Sequence, residues 1–451
     1  MESPTLPAPP TPETLTAPSM PKLGGGWPLV GHNFRRLFWP MEFLTDLSGL
    51  QGDLAWVSMG RNNWSIYALN PSLYDVLKDK SCSVRHYFEV APTLLGKSLL
   101  TQDGEPHRSG RNAMNKPFTP SGLSAQGTSE IMKEVIERQV GVMLQKPDPL
   151  ALIEMRTLAL DIIFRILGIP HDELDGWREH YEEVMLTLSP VKLRFPGSPE
   201  WRAERARAWI TERIQTRIAA IRQDPAITGL LAEMVRGWDA QELRGDDGGL
   251  IDNVLLLALA GHETTASTMT WMACHLAQDP ALWDRVVAEA QAVGAVPQHP
   301  KDLAQFPLIE GLFRECLRLY PPVTSISRRL LEPVEIAEVT VPAGAEITFP
   351  ILSWNRDARH YPDPERFTPD RWVGRERRPS PLETIAFSFG PHFCLGYHVA
   401  WTESVQLGVA LALQASAKGL RPAMAEGFPK AKYVGLCTPE KKGTRLKWVA
   451  A

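Results

Sequence analysis

The ten residues Phe387-Ser-Phe-Gly-Pro-His-Phe-Cys-Leu-Gly396 place one cysteine, Cys394, in a short loop framed by Gly390 and Gly396. Phe387 and Phe389 lead in, and a helical sequence, Tyr397 to Leu413, leads out. A thiolate at the head of a helix is stabilised by the helix dipole and by backbone N–H groups that have no partner within the helix. The two glycines let the backbone approach a flat object, or take positive φ, where a Cβ would clash. A dry, N–H-lined thiolate beside a planar surface is what a haem iron asks of a cysteine ligand.

Working outward, the chain has 451 residues, 44% of them apolar, enough for several domains or one large helical body. Its net charge of −4 excludes the basic excess of a typical nucleic-acid binder. The five cysteines, Cys82, Cys274, Cys316, Cys394 and Cys437, are odd in number and contain no Cys-x-x-Cys pair. A disulfide framework is therefore not expected, and a cytoplasmic protein is. Residues 1–22 are rich in Pro, Thr and Ser without an apolar stretch, and read as a disordered tail. A single domain is expected over 23–451. The apolar run Val254 to Ala260 is too short to cross a bilayer.

Strand-like pieces appear at 54–59 and 65–69, helical periodicity dominates 128–280, and β-like patterning returns at 334–341 and 346–351. Residues 244–249 read as a surface loop. Leu250 to Leu276 reads as a long buried helix interrupted by Ala260-Gly-His-Glu-Thr-Thr265. Glycine, a carboxylate and two threonines are poor choices for such an interior, and breaks in local preference are expected where function overrides stability. Gly261 would let a flat ligand or dioxygen approach. A Thr hydroxyl can bond the i−4 carbonyl and open the helix locally. Glu263 and Thr264 would offer an acid and an alcohol for proton relay.

The Phe-x-x-Gly-x-His-x-Cys-x-Gly order, carried by Phe387, Gly390, His392, Cys394 and Gly396, resembles the cysteine-ligand loop of the cytochrome P-450 superfamily. Ala260 to Thr265 is similar to that family's Ala-Gly-x-(Asp/Glu)-Thr-Thr motif, and Glu315-Cys-Leu-Arg318 to its Glu-x-x-Arg helix. The resemblance spans roughly 23–445. It implies a mainly α fold with a smaller β-rich portion, haem b lying between the long central helix and the cysteine-loop helix. It implies Cys394 as axial thiolate, Thr264 holding and protonating bound dioxygen, and Glu263 supplying protons. His107, Arg111, Arg328 (or Arg329) and His392 would meet the haem propionates, with Gly261, Phe387 and Gly396 also at the haem. Arg371, by its spacing to Cys394, or else Arg366, would complete the network of Glu315 and Arg318. Substrate would lie against Phe88, Val90, Leu94, Leu95, Leu257, Ala260, Val323 and Ile326, with Met185 and Leu188 nearby, which suits an apolar molecule.

The implied activity is that of a soluble, bacterial-type monomeric monooxygenase that hydroxylates or epoxidises a hydrophobic substrate. The alternatives are a peroxygenase or dehydratase-isomerase on the same fold, or a haem gas sensor; the first two usually lack the acid–alcohol pair. No flavin or iron–sulfur segment is found. Electrons would come from a ferredoxin or flavodoxin and an NAD(P)H-dependent reductase, docking on Arg375, Arg377 and Arg378.

Overall fold

The computed structural model describes residues 9–15, 20–61, 63–78, 81–85, 92–188, 193–243, 245, 247–377, 379–380, 383–433 and 435–451. Its smaller part is a five-stranded sheet in the order β1-β2-β7-β4-β3. The strands are β1 (Leu54–Gly60), β2 (Asn63–Ala68), β3 (Cys82–Ser83), β4 (Ile326–Leu330) and β7 (Glu346–Phe349). Only the β2–β7 pair is parallel. The sheet's inner face is apolar, with Trp56, Ile66, Leu330, Ile347 and Phe349 all buried. Pro21 and Lys22, grouped with the tail in the sequence, are tied to this sheet: the Trp56 N–H donates to Pro21 O at 2.8 Å, and the Leu23 N–H donates to Trp56 O at 2.9 Å. The β-like run 334–341 is a hairpin, β5 (Val334–Ile336) and β6 (Val339–Val341). It turns on Ala337 and Glu338, both at positive φ, the geometry of a two-residue hairpin loop. β7 stops at Phe349, because Pro350 has no N–H for the ladder.

The larger part is helical. In chain order its named helices begin with α1 (Asn33–Phe38), α2 (Pro40–Ser48), α3 (Pro92–Leu95), α4 (Gly104–Asn115), α5 (Pro120–Ala125), α6 (Thr128–Met143), α7 (Ala151–Ile166) and α8 (Leu174–Val184). They continue with α9 (Pro199–Gln223), α10 (Leu230–Ala240), α11 (Asp247–Gln278), α12 (Pro280–Val293), α13 (Pro307–Leu319), α14 (Ile351–Trp354) and α15 (Tyr397–Ser416). Helix α11 is buried on nearly every side, which is why its sequence is apolar all round rather than striped. It packs on α7, α13 and α15.

Two expectations for α11 need correcting. The helix starts at Asp247, taking in residues read from sequence as loop. Arg222 accounts for this: its Nη1 and Nη2 donate to Asp247 at 2.6 and 2.7 Å while it also holds Asp239. The helix is also continuous through Thr264, whose hydroxyl donates to Ala260 O without opening the turn. Among the described residues no helix is long and apolar enough to cross a membrane.

Candidate active site around Cys394

The cysteine loop is closed by its own backbone. The Cys394 N–H donates to Phe387 O at 2.9 Å, and the Phe393 N–H donates to Gly390 O at 3.0 Å. Closing it needs left-handed backbone at Ser388 (φ +61°) and Gly390 (φ +66°), which Gly390 adopts without strain. Gly396 is different: its φ is −81° and a Cβ there would lie 3.9 Å from Cys394 Sγ, an ordinary contact. What Gly396 supplies is its N–H, bonded to the sulfur at the head of α15. Burial pushes the Cys394 thiol up, and the Gly396 N–H and the Arg111 charge act against that. Arg111 also reaches the loop directly, its Nη1 donating to Phe393 O at 2.7 Å.

Cys394 faces an apolar cavity of about 300 Å³. Across it stand Ala260, Gly261, Thr264 and Thr265 of α11, with Phe387 and Gly396 also in the wall. A second, polar cavity of about 210 Å³ adjoins it, lined by Asp103, Arg108 and Arg328 among others. His107, Arg111 and His392 face both cavities. The His107 and His392 rings are 4.1 Å apart, and His392 Nε2 lies 3.7 Å from Asp103 Oδ1. Burial first, then the neighbouring charges of His392 and Arg111, bring His107 down to about 4. His392 is also lowered, chiefly by burial. Burial alone would raise Asp103, but hydrogen bonds from His392 and Ser83 hold it below the ordinary carboxylate value. Of the two candidate arginines, Arg328 lines the polar cavity, because β4 turns Ile326, Arg328 and Leu330 to one face. An apolar slot with a sulfur on one side and a cationic, hydrogen-bonding edge fits a flat, mainly apolar cofactor with anionic side groups.

Glu263 does not line either cavity. Its Oε2 accepts from Arg156 Nε at 3.1 Å and Nη2 at 2.8 Å, so α7 holds it against the far face of α11. The reason is helical register: Ala260, Thr264, Gly261 and Thr265 share the arc of α11 toward the cavity, and Glu263 falls outside that arc, where it meets Arg156. Gly261 also has a second reason to be glycine, since a Cβ would fall 2.8 Å from Ile163 Cδ1 on α7.

Leu257, Ala260, Val323 and Ile326 line the apolar cavity as expected. Leu94 and Leu95 do not, because α3 packs them into the core against α11. Met185 packs on the core and Leu188 is exposed. Phe88 and Val90 lie outside the described residues. Leu99 and Leu100 stand in the wall instead, five residues after the pair chosen from sequence.

Glu315 and Arg318 are wholly buried, unlike a usual i, i+3 surface pair. Arg318 donates to Glu315 through Nε at 2.9 Å and Nη2 at 2.8 Å. Arg371 Nε donates to Glu315 Oε1 at 3.0 Å, and the Thr368 N–H and Trp372 Nε1–H add bonds at 2.9 and 2.8 Å. Arg366 gives only its carbonyl, to Arg318 and Arg371. In the arginine stretch, Arg375 is committed to Glu383 and to Arg371 O and lies over the Trp372 ring. Arg377 is exposed, and Arg378 lies outside the described residues.

The residue missed in the sequence is Glu403 of α15. It is 3% exposed, lines the apolar cavity and bonds to the Thr265 side chain. Burial pushes it up to about 8. Its signal was present: it is the one carboxylate in a mostly apolar helix.

The family model Cytochrome P450 matches residues 171–415. Cytochrome P450 BJ-4 of Bradyrhizobium diazoefficiens is 36% identical over 92% of each chain, and its homologue from Sinorhizobium fredii is equally similar.

The chain belongs to the cytochrome P450 family.

Among its P450 relatives, the cyclooctat-9-en-7-ol 5-monooxygenase of Streptomyces melanosporofaciens is 30% identical over 86% of this chain and 87% of that protein. In fold it resembles the P450DA haem domain, with TM-score 0.80 and 20% identity over 96% of this chain and 97% of that one. A retinoic acid-bound cyanobacterial P450 superposes with TM-score 0.75 and 22% identity over 99% and 100% of the two chains. The protein is thus an oxidoreductase of the haem-thiolate P450 class, with relatives named as monooxygenases.

Proposed function

We propose that this P450 inserts one oxygen atom into a hydrophobic organic substrate, by hydroxylation or epoxidation, and that the Cys394 thiolate would hold its haem b. The observation that carries the reading is that Cys394 and Thr264 wall one apolar cavity whose polar neighbour is edged by His107, Arg111, Arg328 and His392. When bound, haem supplies the oxygen-activating redox chemistry. The protein's own groups do the rest. Gly396 N–H and Arg111 steady negative charge on Cys394 Sγ. His107, Arg111, Arg328 and His392 would hold the haem's anionic side groups through charge-assisted hydrogen bonds. The apolar wall excludes water and holds substrate. Thr264, whose hydroxyl now donates to Ala260 O, would release that bond to pass its proton into the cavity. Glu263 can feed this relay only after leaving Arg156.

Electrons are assigned to a separate ferredoxin or flavodoxin with its reductase, and the enzyme to the cytoplasm. The five cysteines, none of them in a disulfide, fit a reducing compartment. The compounds that name two relatives, cyclooctat-9-en-7-ol and pentalenene, are small and largely hydrocarbon. They are the first substrates to test, by the Soret shift on binding and by product formation with a ferredoxin–reductase pair. Cys394→Ala should abolish the red-shifted Soret band of the ferrous–CO form. A variant that keeps that band would mean that the sulfur ligand lies elsewhere.

A further inference from the structure

Asp252 and Asn253 stand in the apolar early turns of α11, and neither belongs to the machinery described above. Asp252 is 6% exposed. Its Oδ2 accepts from the Lys97 N–H at 2.6 Å, and its Oδ1 accepts from Arg207 Nη2 on α9. Asn253 Oδ1 accepts from the Leu99 N–H at 2.9 Å, and its Nδ2 donates to Gly249 O at 2.8 Å. The fit is close: at Gly96, φ +43°, a Cβ would fall 2.0 Å from Asp252 Oδ2. Thr101 Oγ1 donates back to Gly96 O at 2.7 Å and closes the turn. The segment so held ends in Leu99 and Leu100, and both line the apolar cavity. Leu256 and Leu257, a turn further along α11, line it too.

An ion pair of this kind is a poor way to gain stability. Burying charge costs about as much as the attraction returns, and apolar residues of similar volume often do as well. Its distinctive property is directional: it joins three separate chain segments at one point. We propose that Asp252 is a positioning residue for the cavity roof. It fastens the Gly96–Leu100 segment and helix α9 to α11, so that passage of a ligand into the cavity requires the Arg207–Asp252 pair to break. The proposal rests on the reading of the apolar cavity as the haem and substrate site.

The test is stopped-flow binding of 4-phenylimidazole to the haem-loaded enzyme, followed by the Soret shift, with thermal melting alongside. Arg207→Met keeps volume and removes the charge. It should quicken both association and dissociation by about tenfold, the equivalent of breaking an interaction of about 1.4 kcal/mol, with a nearly unchanged Kd. Arg207→Lys should restore most of the wild-type rates. Unchanged rates in Arg207→Met, whatever the melting temperature does, would reduce the pair to a structural contact and overturn the proposal. If that variant fails to hold haem, Asp252→Asn serves instead. It keeps the shape and an acceptor for the Lys97 N–H, and wild-type rates there count equally against the latch. Absence of any Soret shift in the wild type would sink the cavity reading and this proposal with it, whereas a shift with unaltered kinetics sinks the latch alone.

Discussion

At the scale of residues, Glu403 shows how a single buried acid leaves a measurable trace. Burial pushes its pKa in the folded protein up to about 8, well above the ordinary glutamate value of about 4.3. Between those values the folded state holds a proton that the unfolded chain has lost. Unfolding therefore releases a proton, and stability falls as pH rises through this window, by at most about 1.4 kcal/mol per unit. Melts of the haem-loaded protein at pH 5 and pH 8 should differ more for the wild type than for Glu403→Gln, which stays neutral at both. Equal differences in the two proteins would show that Glu403 is not protonated in the fold. Thr264 carries a second expectation: Thr264→Ala should keep haem and substrate binding but divert reducing equivalents to peroxide, and unchanged coupling of donor oxidation to product would remove it from the relay. Cys394, Thr264, His107, Arg111 and His392 could be named from local motifs, because each motif fixes its own spacing, whereas the choice of Arg328 over Arg329 needed the facing of β4. Glu263's turn toward Arg156 could not, since it depends on a partner 107 residues away.

At the scale of elements, the sequence carried the helices well and their ends poorly. Helix α11 was visible because apolar residues fill it, but its first turn depends on Arg222, which no window around Asp247 contains. The same limit misplaced Leu94 and Leu95: apolar letters do not say which of two apolar neighbourhoods receives them. Helix α13 is the opposite case. Glu315 collects five hydrogen bonds, from Arg318, Thr368, Arg371 and Trp372, and so binds the chain at 368–372 to the helix. Glu315→Ala would leave two arginines facing an empty site, one of them wholly buried. Breaking a buried pair from one side costs about 3–5 kcal/mol. Chemical denaturation should register a loss of that order together with lower haem content. A loss under about 1 kcal/mol, the scale of an exposed pair, would contradict the buried network.

At the scale of the whole molecule, the two adjoining cavities join the sheet-rich part to the helical body. Arg328 comes from β4, His107 and Arg111 from α4, and His392 from the cysteine loop. Among the described residues lining the polar cavity, Asp103 is the one carboxylate facing these basic groups. Arg111 and Arg328 reach this cavity as guanidinium groups, while burial moves His107 and His392 toward their neutral, hydrogen-bonding form. In the language of mass action, the cofactor acts as a linked variable: whatever binds only the folded chain adds RT ln(1 + [L]/Kd) to its stability, about 4 kcal/mol at a thousandfold excess over Kd. Arg328→Met should accordingly lower the melting temperature of the haem-loaded enzyme while leaving that of the haem-free protein level or higher. A parallel drop in both forms would make Arg328 a structural prop. The broader consequence concerns supply: a chain whose margin is lent by its cofactor will accumulate in the cell only as fast as haem is made.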